Sequence, residues 1–259
     1  MNALESFFIL LGGLWAGTIN SVVGSGTLVT FPILIALGVV PVMAVVSNAM
    51  GLIAGGVSGT WGYRRELRGM KSNLLKLMPA SILGGITGAY LLLHLPETVF
   101  ALVAPALIVL ALTLVIFQPR LQRAIQAKRG AGPSARTHDL AMVALVYLTG
   151  VYGGYFVAAQ GVLLVAILGI FMSGTLQNAN AVKNLLSLSV NVVAAISYLL
   201  FAPEKIIWQI VALIAVSSLA GGFIGSRIGR KLSPVVLRSV IVTLGVVALF
   251  FMIQKLVAA

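Results

Sequence analysis

The sequence has no cysteine and very little acid. Without cysteine there is no disulfide, no thiolate nucleophile and no Cys-ligated metal. Asp and Glu together number 5 in 259 residues, and all charged residues make up 8%. A soluble domain carries roughly 25% charged residues, so this chain lacks the polar material to cover a water-facing globule. The same scarcity excludes disorder, because 60% of the residues are hydrophobic and the mean hydropathy is +1.10. No acid falls deep within an apolar run, and His94 and His138 sit at loop ends. Carboxylate proton relays, metal cages and nucleophile–base pairs therefore have no residues to use, and neither a metal, a cofactor nor an enzymatic activity is expected.

What is present is apolar and periodic. A spanning helix needs about 20 mostly apolar residues. Runs of about that length cover Ala3–Val22, Val40–Tyr63, Leu77–Leu93, Val99–Phe117, Leu140–Ala158, Leu176–Leu200, Ile206–Ser226 and Val235–Ile253. Two shorter pieces, Thr27–Leu37 and Gly161–Phe171, would each rise only about 16 Å as helices. They read as short crossings or as halves of re-entrant hairpins. The first run carries Glu5 and no basic residue before it, so it is expected to be a span and not a signal peptide. The fold class is all-α, a polytopic membrane protein.

The charge is lopsided, with 17 Lys and Arg and a net +12. Fourteen of them fall in three clusters. These are Arg64, Arg65, Arg68, Lys71 and Lys76; then Arg120, Arg123, Lys128, Arg129 and Arg136; then Arg227, Arg230, Lys231 and Arg238. The span count puts all three on one face, and the positive-inside rule makes that face cytoplasmic with both termini outside. The excess is thus a topology signal. Nucleic acid is not an expected partner, and membrane lipid is.

The chain divides at the polar stretch 118–137, read as a basic loop between a first repeat, 1–117, and a second, 138–259. Each half runs long span, short piece, then three long spans. Gly84-Gly85-x-x-Gly88 recurs as Gly221-Gly222-x-x-Gly225, and Ile33-Leu34 align with Ile167-Leu168. Five segments is an odd number, so the second copy enters from the opposite side. This is an inverted-topology repeat, a common design of secondary transporters, with one short broken-helix piece per repeat. Gly13/Gly17, Gly51/Gly55/Gly59, Gly84/Gly88 and Gly221/Gly225/Gly229 form small-xxx-small ridges suited to close helix packing, within one chain or in a homo-oligomer.

The candidate site lies at the breaks. Asn20-Ser21-Val22-Val23-Gly24-Ser25-Gly26-Thr27 is a poor surface loop, flanked by apolar sequence on both sides. Irregular backbone at membrane depth must line protein or a water-filled cavity. Gly24 and Gly26 permit a turn, and Ser25 and Thr27 supply hydroxyls at the start of a helix, where N–H groups and the dipole suit an anion. The matching place is Tyr152-Gly153-Gly154-Tyr155 followed by Ala159-Gln160-Gly161. Gln160 offers an amide there, while Tyr152 and Tyr155 offer hydroxyls or plain bundle packing.

Lys183 is the only charge between Leu140 and Pro203. A Lys at the centre of a spanning helix costs on the order of 3 kcal/mol, and such groups mark functional sites unless they snorkel to an interface. Lys183, Ser187 and Asn191 follow helical spacing, with Asn180 and Asn184 beside them. Ser47 and Asn48 occupy the equivalent helix of the first half, where Ala49 matches Lys183. One buried cation with hydroxyls, amides and helix N-termini points to a small anion.

These residues resemble the TauE/SafE sulfite-exporter family, also called the toluene sulfonate uptake permease group. The likeness spans nearly the whole chain. It rests on Ala16 to Leu28 with Pro32, on Ser47-Asn48 and Tyr63-Arg64, then on Gly150 to Gly154, Lys183-Asn184-Leu185 with Asn191, and the second glycine motif. Members show a glycine-richer first break, often Thr-Asn-Lys in place of Ser47-Asn48-Ala49, and a Gly-rich stretch in place of Ala158 to Gly161. The resemblance implies a carrier of sulfite or organosulfonates such as sulfoacetate in a bacterial inner membrane, usually outward. The anion is expected between the two breaks near Lys183 and Asn48, with membrane potential or a proton gradient as the drive. The alternatives are an importer of the same anions, an anion channel, and a sensor or structural subunit without flux.

Overall fold

The computed structural model describes residues 1–128, 135–228 and 234–258. Among them the chain is all-helical, with no strand. The helices are α1 (Ala3–Val22), α2 (Thr27–Ala36), α3 (Pro41–Gly62), α4 (Lys71–His94), α5 (Glu97–Lys128), α6 (Ala135–Tyr155), α7 (Gln160–Phe171), α8 (Leu176–Phe201), α9 (Trp208–Ile228) and α10 (Pro234–Ala258). A single 3₁₀ turn, Pro203–Lys205, joins α8 to α9.

Local sequence sets several of the ends. Asn2 caps α1 by accepting from the Glu5 N–H at 2.8 Å, while Glu5 Oε2 accepts from the Asn2 N–H at 2.9 Å. Thr175 and Asn178 make the same reciprocal box at the start of α8. Pro41 opens α3, where its missing N–H leaves no bond unmade.

Among the described residues, six helices are long and apolar enough to cross a membrane: α1, α3, α4, α8, α9 and the part of α5 from Glu97 to Arg120. Their outer faces stay apolar, with Leu102, Leu200 and Val216 each about 70% exposed. A soluble protein could not carry that surface, and lipid accounts for it. The other two expected spans fall on α6 and α10, which are not among these six.

The stretch 118–137 differs from the expected loop. Helix α5 runs on to Lys128 and α6 begins at Ala135, so the basic cluster there sits mostly on helix ends. Arg129 and the stretch Gly130 to Ser134, Gly229 of the fourth glycine ridge, Arg230 and Lys231 lie outside the described residues.

The closest packings join the two halves of the chain. Helix α1 packs on α9, and α6 packs on α4. Helix α9 also lies on α3, as α4 lies on α8. The short α2 touches α1, α3 and α10, and the short α7 touches α6, α8 and α5. Exchanging the halves maps each of these contacts onto another. The glycine motifs line the tightest of them. A β-carbon on Gly84 or Gly88 would come within 2.3 Å of backbone oxygens of α6, and one on Gly221 within 2.1 Å of the Leu14 carbonyl on α1.

Candidate functional site: two broken helices in contact

The first break follows α1. The Val23 and Gly24 N–H groups both donate to the Ile19 carbonyl, at 2.7 and 3.1 Å. Gly24 then turns the chain with φ +88°, a conformation that glycine adopts without a steric penalty. Helix α2 starts three residues later, with no side-chain cap.

The second break is placed and built differently from the expectation. Gly153 and Gly154 are helical within α6, where they allow close approach: a β-carbon on Gly154 would lie 2.3 Å from the Gly85 carbonyl oxygen. The turn comes after Tyr155, over Phe156 to Ala159. Val157 and Ala159 take φ +66° and +57° without being glycine. Left-handed backbone is rare for a β-branched residue. Helix α7 begins at Gln160, again without a side-chain cap.

The two breaks touch. The Gly161 N–H donates to the Gly24 carbonyl at 3.0 Å. A β-carbon on either glycine would lie 2.4 Å from the other's Cα. Both short helices therefore begin close to one junction without a side-chain cap, and the stem of Lys183 passes over it.

Lys183 is fully buried on α8. Its ammonium donates to the Asn20 carbonyl at 2.8 Å and to the Ser21 carbonyl at 3.4 Å. Asn180 and Asn184 donate to the same Ser21 carbonyl, each at 3.2 Å. Three side chains of one helix thus satisfy the last turn of another, where carbonyls lack partners and the dipole is negative. Asn20 takes part through its backbone. Snorkelling is ruled out, since Lys183 has no exposed surface.

Asn48 is also committed. Its amide donates to Thr27 Oγ1 at 3.1 Å and its carbonyl accepts from Thr30 Oγ1 at 2.5 Å. Together they brace α2 against α3. Thr30 was not among the expected residues; its position three after Thr27, on the same face of the short helix, was the available signal. Ser47 is turned the other way and accepts from the Ile207 N–H at 2.9 Å.

The remaining candidates are uncommitted. Ser25 Oγ, Tyr152 OH, Tyr155 OH, the Gln160 amide nitrogen, Ser187 Oγ and Asn191 Oδ1 are buried without a hydrogen-bond partner. Buried polar atoms are nearly always paired, so such a set asks for a ligand or water. Gln160 is 2% exposed and its amide lies against Gly153. Tyr198, absent from the sequence-based set, does have a partner: its hydroxyl donates to the Gly154 carbonyl at 3.0 Å. No group of three or more His, Asp or Glu able to hold a metal occurs among the described residues.

The family model described as "Sulfite exporter TauE/SafE" matches residues 9–252. Among curated proteins, the probable membrane transporter protein YfcA of Escherichia coli strain K12 is 26% identical over 242 residues, covering 90% of this chain and 85% of its own. The probable membrane transporter protein ORF9 of Sinorhizobium sp. is 24% identical over 240 residues, covering 92% and 88%. A probable membrane transporter protein of Haemophilus influenzae is 22% identical over 249 residues, covering 95% and 91%. No solved structure gives a significant match.

Proposed function

The chain belongs to the sulfite exporter TauE/SafE family and is a multi-pass membrane transporter, not an enzyme; from that premise we propose that it exports small sulfur oxyanions, sulfite or organosulfonates such as sulfoacetate. The observation that carries the reading is the junction of two short helices without side-chain caps, with the buried, unpartnered Ser25 hydroxyl and Gln160 amide each one residue from the touching glycines. Helix N-termini favour negative charge, and Ser25, Gln160, Tyr152 and Tyr155 would supply directed hydrogen bonds. Lys183 uses two of its three ammonium protons on carbonyls and keeps one for the anion. Asn48 acts one step back, by fixing the first short helix.

A short helix rises about half the roughly 30 Å hydrocarbon core. Two that start at a common junction and run towards opposite faces would put that junction near the midplane. Exchange of the halves, which maps the helix contacts onto one another, supports the inverted repeat that this requires. In this conformation Gly24 and Gly161 are in contact, so the anion enters when the two short helices part. We assign the basic face to the cytoplasm of a bacterial inner membrane by the positive-inside rule.

Outward movement of one negative charge from an inside-negative cell is downhill by about 2.3 kcal/mol per 100 mV. All five acids lie at helix ends or in loops, so no carboxylate relay is available for proton coupling. Reconstituted protein should show saturable, trans-stimulated sulfite flux that follows an imposed potential. Flux that ignores a clamped potential and follows a pH gradient would reverse the coupling. Non-saturating flux without counterflow would make the protein a channel.

A further inference from the structure

A basic cleft lies away from the helix breaks. Helices α3 and α9 end side by side, so close that a β-carbon on Gly62 would lie 2.1 Å from Ser226 Oγ. Beyond that contact they enclose a cleft of about 360 Å³, within the usual span of small-ligand sites, about 300–1,000 Å³. Arg64, Arg65 and Arg227 line it, along with Trp61, Phe223 and Glu66. Glu66 offsets one of the three positive charges.

The arginines are partly pre-positioned. The Arg64 guanidinium stacks over Trp61 at 4.8 Å and that of Arg227 over Phe223 at 5.9 Å. Trp61 is 60% exposed and Phe223 38%. Tryptophan at that exposure suits the headgroup level of a bilayer. Helix C-termini are negative and would repel an anion, but Arg64 meets this by donating to the Trp61 carbonyl at 3.0 Å. One donor of its five is so used, and the rest of the fork stays free for a second partner.

We propose that the cleft between the ends of α3 and α9 binds a phosphate-class oxyanion on Arg64, Arg65 and Arg227. Planar guanidinium forks match tetrahedral and pyramidal oxyanions in bidentate fashion, which point-charge lysines do not. The exposed rings beside them offer an apolar wall that a lipid headgroup with its chains would use and a free ion would not. The chemistry is shared by a phospholipid phosphate and by a soluble oxyanion awaiting transport.

The test is thermal unfolding of the full-length protein in neutral detergent, with phosphatidylglycerol, phosphatidylcholine, inorganic phosphate or sulfite added. Variants are Arg65→Gln, Arg227→Gln and the pair combined. Arg120→Gln removes the same charge from another Arg–aromatic stack, 5.2 Å from Phe117 and outside the cleft. Stabilisation by an anionic ligand should weaken in apparent affinity by about fivefold per cleft arginine removed, and Arg120→Gln should leave it unchanged. Protection by phosphatidylglycerol alone identifies a lipid headgroup; protection by phosphate or sulfite at the same arginines identifies a soluble anion. No protection by any of them, or equal loss in Arg120→Gln, overturns the proposal. Variants that melt like the parent without ligand show that folding is intact.

Discussion

At the first break the chain turns on a glycine, and at the second on a valine and an alanine. Gly24 needs its φ of +88° and needs no side chain, because Gly161 lies against it. Val157 and Ala159 adopt similar backbone while being almost wholly buried. Such residues store of order 1–3 kcal/mol each, tolerated where surrounding packing fixes them. The polar groups divide the same way. In the first half Thr27, Thr30 and Asn48 satisfy one another, and α8 satisfies the end of α1. In the second half the Gln160 amide nitrogen and the Tyr152 and Tyr155 hydroxyls have no partner. The first half is braced apart from the unpartnered Ser25 hydroxyl at its break, and the second holds the backbone strain and most of the spare donors. Under the proposed function, the second half is the side that meets the anion and moves.

The largest effect should come from closing the contact between the breaks. Gly24→Ala puts a β-carbon 2.4 Å from Gly161 Cα and 2.7 Å from its carbonyl carbon, and neither atom can yield without shifting α7. Strain of about 1–3 kcal/mol adds to overpacking of similar size. Gly38 has φ +84° with nothing within 4 Å, so Gly38→Ala should carry the backbone penalty alone. Thermal unfolding of the two variants compares them directly. Equal losses would mean that the junction is not a tight contact.

Removing the brace on α1 should come next. The Gly24 N–H has gone to Ile19, so the Asn20 carbonyl depends on Lys183. Lys183→Met keeps the stem and removes the ammonium, with an expected loss of about 1.5–3 kcal/mol together with anion flux. A variant that melts like the parent but loses flux would make Lys183 a substrate ligand only.

The two short helices can be set against each other through their amides. Asn48→Leu breaks two buried hydrogen bonds and should destabilise by about 1–3 kcal/mol. Gln160→Leu breaks none from its amide nitrogen, so stability should hold while flux falls. The opposite pattern, stable Asn48→Leu with intact flux in Gln160→Leu, would move the anion to the first half.

Much of this was legible in the sequence. Uncharged runs located the long helices, the two short pieces fell on α2 and α7, and Lys183 stood out as a buried cation. Partners were not legible. Helical spacing puts Lys183, Asn180 and Asn184 on related faces but does not say that the end of α1 lies opposite. The glycine signal misled at the second break: Gly153 and Gly154 serve packing within α6, while the turn uses residues with no turn signature. Polar composition did not show where α5 ends and α6 begins, since both helices extend into 118–137.

The smallest effect tests the strain itself. Ala158 and Ala159 are adjacent and fully buried, but only Ala159 has positive φ. Ala158→Gly loses a buried methyl group and gains unfolded-state freedom, about 0.5–1 kcal/mol from the latter alone. Ala159→Gly suffers the same losses and recovers the left-handed penalty, roughly 1–2 kcal/mol. It should therefore end near the parent's stability, with Ala158→Gly clearly below both. The difference between the variants isolates the strain, because the methyl and entropy terms nearly cancel. If the two melt together, the second break is relaxed. Its contrast with Gly24 would then lie in polar satisfaction alone, and the strain could not help α7 to move away from the junction.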